Sequence, residues 1–425
     1  MAVTALQLSR IRILRPLRIR DFALLWTGMT VSFLGDGLYM VAIAWQVYAI
    51  SNVPTALALV GVAWMAPQVL LLLVGGAVSD RFERRLVLML SDAIRGSAIA
   101  AIGLLSVMGT LRLWHVIVLV ALYGAGGAVF TPAFTGIVRD VVPRELLLEA
   151  NSLGQFVRPL CVRLIGPALG GVIIGVAGAG TAFLADAGSF AFSATAFLLM
   201  HTRSLPSEDT RRSLGRDIVD GISYVRSQTW LWATLGTVTL SMLFFLGPVY
   251  VLMPYVVKNS LHGGAGGLGL VFAAGGVGAV TASLLRGQLG LPRRPLTVVY
   301  VAWAATAFSL VGYALVDAVW QAMVVSFFSI GCLTTGGIVW TTVLQRAVPG
   351  AMIGRVSSLD WVLSLGLTPV SYAVTGPVAD LFGPKGTLLR AGIVSGAVLL
   401  LVLLLVPAVR AADVGQGAPD LPVAA

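Results

Sequence analysis

Long apolar stretches follow one another along the chain, separated by short polar or charged breaks. Each is roughly 20 residues or longer, enough to cross a hydrocarbon core of about 30 Å as a helix. They carry Gly and Pro freely and lack the apolar–polar alternation of a barrel strand. Twelve spans are predicted, at 22–50, 54–79, 86–108, 112–138, 151–177, 181–201, 229–257, 264–289, 296–316, 319–344, 355–379 and 386–409. The expected fold class is an all-α membrane protein with two pseudo-symmetric six-helix halves, 22–202 and 229–410.

The remaining segments are polar. Residues 1–21 interleave Arg with Leu and Ile and read as a cytoplasmic lead-in along the inner membrane surface. Residues 203–228 form a linker on the same face, because six crossings precede it; DIVDGISYV within it has the spacing of a surface-lying helix. Residues 411–425 are small and polar and read as a disordered cytoplasmic tail. The halves also repeat. An offset of 206 carries Val142-Pro143 onto Val348-Pro349, Ser152-Leu153 onto Ser358-Leu359 and Gly180-Thr181 onto Gly386-Thr387. An offset of 209 carries Arg84-Arg85 onto Arg293-Arg294.

Composition agrees with that pattern. The chain of 425 residues is 58% hydrophobic and 11% charged, with a mean hydropathy of +0.94. A net charge of +10 would point to nucleic acid in a soluble protein. Here most of the basic residues fall on one predicted face, including Arg10, Arg12, Arg15, Arg18, Arg81, Arg84, Arg85, Arg211, Arg212, Arg293 and Arg294. That is the positive-inside distribution of a multi-pass protein of the cytoplasmic membrane with both termini inside, and it needs no nucleic-acid partner. The two cysteines, Cys161 and Cys332, lie in separate predicted spans and imply no disulfide framework. No phosphate loop, HExxH, GxSxG or Cys/His metal spacing is present, so ATP-driven pumping and the commoner membrane hydrolases are set aside. No cofactor or metal is expected, and the protein is not read as an enzyme.

The turn GGAVSDRFERR between the second and third spans concentrates charge: Asp80, Arg81, Glu83, Arg84 and Arg85. It resembles the G-x-x-x-D-R-x-G-R-R loop of the major facilitator superfamily, matching at Gly76, Asp80, Arg81, Arg84 and Arg85, with Glu83 at the second Gly. The resemblance implies a conformational latch near Gly354 to Asp360, with Asp140 and Asp360 in its charge cluster. A second stretch, GPALGG at 166–171, resembles the antiporter motif of the twelve-helix drug:proton exporters through Gly166, Pro167, Gly170 and Gly171. Pro permits a kink and the glycines a close helix approach. AFLADAGSF and PAFTGIVRDVVPRELLLEANSL extend the likeness to macrolide and enterobactin exporters. One departure stands out, since VALYGAGGA places Val120 where many of these antiporters carry Arg.

Charges inside the spans are the candidate chemistry, because each costs about 2.5–3.5 kcal/mol at the bilayer centre. Asp36, near mid-depth between Gly35 and Gly37, is the leading candidate for a coupling proton or a cationic substrate; Tyr39 shares its face. The alternative for Asp36 is a structural ion pair with an intramembrane Arg. Asp186, about five residues from the outer face, is expected within reach of water. Arg158 and Arg163 could pair with Asp36 or Asp186 or attract an anion. Asp92 and Arg95, three apart, read as a structural pair. Asp360 is expected near the start of its helix, favoured by the dipole. His115, His201 and His262 fall at helix ends.

The expected function is therefore proton-coupled export of amphiphilic small molecules, such as drugs, antibiotics or siderophore-like compounds, by a monomer working by alternating access among membrane lipids. The alternatives are a lipid, lysophospholipid or nutrient transporter of the same fold, or a non-transporting receptor or scaffold.

Overall fold

The computed structural model describes residues 12–201 and 214–415, and among these the backbone is helical almost throughout, with no strand. Arg12–Arg18 is a 3-10 helix. The helices that follow are α1 (Arg20–Ile50), α2 (Pro54–Leu70), α3 (Leu72–Arg81), α4 (Arg84–Val107), α5 (Leu113–Val141), α6 (Leu147–Pro159) and α7 (Gly166–Leu198). After the linker come α8 (Leu214–Ser227), α9 (Thr229–Gly247), α10 (Ala265–Leu289), α11 (Pro295–Leu315) and α12 (Val319–Ala347). The last described helices are α13 (Gly350–Gly366), α14 (Thr368–Phe382), α15 (Pro384–Leu405) and α16 (Pro407–Gly415).

Among the described residues, ten helical runs are long and apolar enough to cross a membrane. Against the expected spans, one stretch is split and two others share one run. The stretch predicted as one span over 54–79 is divided at Leu71 into α2 and α3. The stretches predicted at 151–177 and 181–201 fall within the run Val157–Leu198, which is two helices joined at a kink: Gly178 leaves helical geometry at φ 83°, ψ 164°, where the break between the two spans is expected. Only glycine adopts that conformation without strain, so Gly178 marks the division inside the run.

By contacts the chain separates into two compact units. The first holds residues 1–52, 63–210 and 264–273; the second holds 53–62, 211–263 and 274–425. In the first unit α1 packs along α7, and α4 packs against both α5 and α7. Its core gathers Phe22, Leu25, Leu88, Ile137 and Phe197. In the second, α11 packs against α12 and α15 around Leu231, Tyr300, Trp303, Val343 and Leu399.

Two polar contacts organise the second unit. The linker helix α8 lies on α13, where Arg355 Nη1 pairs with Asp220 at 3.3 Å. At the far end, residues 416–425 of the expected tail lie outside the described residues, and the chain does not leave its helix at Ala411. It stays helical through Gly415, because Asp413 is drawn onto the start of α11. Its carboxylate accepts hydrogen bonds from Leu296 N at 2.7 Å, Thr297 N at 3.1 Å and Thr297 Oγ1 at 2.5 Å. This satisfies orphan N–H donors of a helix start while a carboxylate sits on the positive end of its dipole.

Candidate transport site

The polar centre of the first unit is built on α1. Asp36 sits between two glycines and remains half-buried. Its Oδ1 accepts a hydrogen bond from the Tyr123 hydroxyl on α5 at 2.9 Å. The Tyr123 ring stacks on Tyr39 with centroids 5.0 Å apart and an interplanar angle of 24°. Trp64 closes on both tyrosines, at 6.2 Å from Tyr39 and 6.3 Å from Tyr123. Phe183 meets Tyr39 edge-on, and Phe190 does the same to Tyr123. Three helices and α2 thus hold one carboxylate in an aromatic frame, with the tyrosine hydroxyl supplying the hydrogen bond that a carboxylate in low dielectric requires.

A second charged group lies behind that frame. Arg95 Nη2 pairs with Asp92 Oδ1 at 2.5 Å one turn away on α4, as the spacing predicts. The guanidinium is held between two phenyl rings, 4.3 Å from the Phe130 centroid and 4.6 Å from that of Phe190. Phe190 therefore touches both Arg95 and Tyr123.

Asp186 departs from its expected setting. Rather than being open to water, it is fully enclosed, because α7 presses it against α1 at Gly35, where a Cβ would collide with Asp186 Oδ1. Ser189 Oγ donates to Oδ1 at 3.3 Å, and Oδ2 has no hydrogen-bond partner. Arg158 and Arg163 form no ion pair with Asp36 or Asp186 among the described residues; Arg158 is exposed, 5.8 Å from the Phe33 ring centroid.

The GPALGG stretch meets α1 beside the same carboxylate. A Cβ on Gly37 would lie 2.7 Å from Gly166 Cα and 3.0 Å from Pro167 Cδ, so both positions demand glycine. Pro167 cannot donate to the carbonyl of Arg163, and the run just before it, Leu160–Ile165, is widened into a π-helix. Gly170 rests on Leu38, and Gly171 on Gly266 and Gly269 of α10.

In the basic turn, the surroundings of Gly76 and of the Asp80 side chain lie outside the described part of the structure. Arg81 is exposed at the end of α3. Arg84 Nη1 binds both oxygens of Asp140, at 3.0 and 2.8 Å. Arg85 donates to the Met200 carbonyl and lies 3.7 Å from Glu83, the residue standing where the second loop glycine was expected. Asp360 is not at a helix start, since α13 begins at Gly350; its Oδ2 instead accepts from Trp340 Nε1 at 3.2 Å.

The sequence pattern of the transmembrane secretion effector family matches residues 11–421. The chain belongs to this major facilitator family. It is 25% identical over 397 residues to the enterobactin exporter EntS of Citrobacter koseri, covering 90% of this chain and 91% of that one. It is 27% identical over 403 residues to the multidrug efflux pump Tap of Mycobacterium bovis, covering 92% and 94%. Among solved structures, a bacterial homologue of the lysosomal transporter Spinster matches with a TM-score of 0.65 at 14% identity, over 96% of this chain and all of that one. A peptide transporter of the POT family reaches 0.71 over 92% of this chain and 95% of that one, at 13% identity. These likenesses give the fold.

For this major facilitator protein, the residues that sequence reasoning passed over are Tyr123 and Trp64. Tyr123 stood in VALYGAGGA, three positions after Val120 and so on nearly the same helical face. A single hydroxyl in an otherwise apolar stretch was the available signal. Trp64 carried none, because an indole in a span is more often packing or an interface anchor.

Proposed function

We propose that this transporter exports amphiphilic small molecules in exchange for protons by alternating access, with Asp36 as the group that takes the coupling proton. The observation that carries the reading is the setting of Asp36: a half-buried carboxylate in mid-span, hydrogen-bonded by Tyr123 and unpaired with any Arg or Lys among the described residues. A structural ion pair would satisfy the charge permanently, whereas a carboxylate held by one hydroxyl can take and release a proton. The likeness to an enterobactin exporter and a multidrug efflux pump supports outward transport. Tyr39, Trp64 and Tyr123 would offer aromatic surface to an amphiphile beside that carboxylate.

In the same reading the halves 22–202 and 229–410 are the moving parts, the termini face the cytoplasm, and the protein acts as a monomer. Gly76, Asp80, Arg81, Arg84, Arg85, Asp140 and Asp360 form the latch. Arg84 is supported in that role by the two bonds that Asp140 accepts from it. Gly166, Pro167 and Gly170 keep α7 close to α1, and Gly171 keeps it close to α10.

The test is growth of an efflux-deficient bacterial host on a panel of antibiotics and dyes. Wild type should raise tolerance to at least one amphiphile, and Asp36→Asn should abolish the gain at equal membrane abundance. Full resistance in Asp36→Asn would refute the assignment.

A further inference from the structure

The second unit holds a groove of its own. α10 and the middle of α12 come together where Gly278 lies against the Phe327 backbone, so closely that a Cβ there would collide with the Phe327 carbonyl. From this crossing a groove of about 230 Å³ runs toward the end of α10. Its walls are largely apolar, with Leu285, Leu289 and Phe328 exposed at 53%, 70% and 62%. From Gly278 to Leu289 is about 16 Å at roughly 1.5 Å per residue, or about half of a hydrocarbon core of about 30 Å. The groove is thus about one leaflet long.

A single charged residue, Arg286, lines it. No carboxylate faces Arg286 from either wall, and among the described residues it has no hydrogen bond or ion pair. It is half-buried, and Arg293 and Arg294 follow it closely in the chain. An unpaired guanidinium beside apolar surface calls for an anion with an apolar body. Thr281 and Thr335 are the remaining polar side chains along the walls, too few to suit a hydrated ligand.

We propose that this groove binds one anionic phospholipid, with an acyl chain along Leu285 and Phe328 and the phosphate on Arg286. Basic pockets between transmembrane helices take acidic lipid headgroups on the cytoplasmic side, where the expected positive-inside topology places Arg286. A zwitterionic lipid would bring its ammonium toward Arg286 and is disfavoured. This site is independent of the proton-coupled reading of Asp36.

The test is native mass spectrometry of the full chain in detergent, titrated separately with phosphatidylglycerol and phosphatidylcholine. Wild type should retain one phosphatidylglycerol at activation energies that strip phosphatidylcholine. Arg286→Gln should lower that retention at least fivefold, and Arg286→Lys should restore most of it. Thr281→Phe, which fills the groove while leaving Arg286 in place, should also lower it. Monodisperse gel filtration of each variant certifies the fold. Equal retention of the two lipids by wild type, or undiminished phosphatidylglycerol on either Arg286→Gln or Thr281→Phe, would overturn the proposal.

Discussion

The Tyr123 hydroxyl on α5 donates to Asp36 Oδ1 on α1 at 2.9 Å, joining a helix with no charge in its middle to the carboxylate at the centre of the first unit. A hydrogen bond to a charged group contributes about 1.5–3 kcal/mol. Tyr123→Phe keeps the ring that stacks on Tyr39 and removes only the donor. Transport at a fixed pH gradient should fall about tenfold at wild-type membrane abundance. An undiminished rate, measured as dye efflux from loaded cells, would detach Tyr123 from the site.

The contact between Gly35 and Asp186 leaves no room for a methyl group. Gly35→Ala should therefore destabilise the protein by about 1–3 kcal/mol, the usual cost of overpacking. Asp186→Ala in the same background should recover part of the loss. Thermal unfolding of the single and double variants in detergent gives the coupling directly, and simple additivity would refute the packing account.

At the other end of the chain, Asp413 holds three donors at the start of α11. Asp413→Ala should cost about 2 kcal/mol, as expected for loss of a charged helix cap. It should also expose the last helix to carboxypeptidase. Digestion no faster than in wild type would mean that α16 is held by its apolar contacts alone.

For the basic turn, Asp80→Asn should leave membrane insertion intact and depress transport at least tenfold. Insertion is read from membrane abundance and transport from efflux. Wild-type efflux would reduce the turn to a topological signal.

The helical membrane fold was legible in the sequence because apolar runs of that length have few other solutions. The close approach at Gly166 and Pro167 was legible too, as two backbones can meet only at small residues. Partners across helices were not. Asp36 announced itself as a charge in a span, but its partner Tyr123 lies 87 positions away, and helical periodicity says nothing about that distance. Depth alone misled for Asp186, whose burial is set by α1 rather than by its place along α7. Asp413 was lost in a composition that resembled a tail, since one carboxylate finding a helix start leaves no mark on average polarity.

The most direct test of the account is proton movement in proteoliposomes carrying a pH-sensitive dye, initiated by adding an amphiphile to which the wild-type protein confers tolerance. Wild type should release protons down the imposed gradient on addition of that compound, and Asp36→Asn should bind it without moving protons. Substrate-driven proton flux of wild-type size in Asp36→Asn would contradict the assignment of Asp36 as the coupling residue.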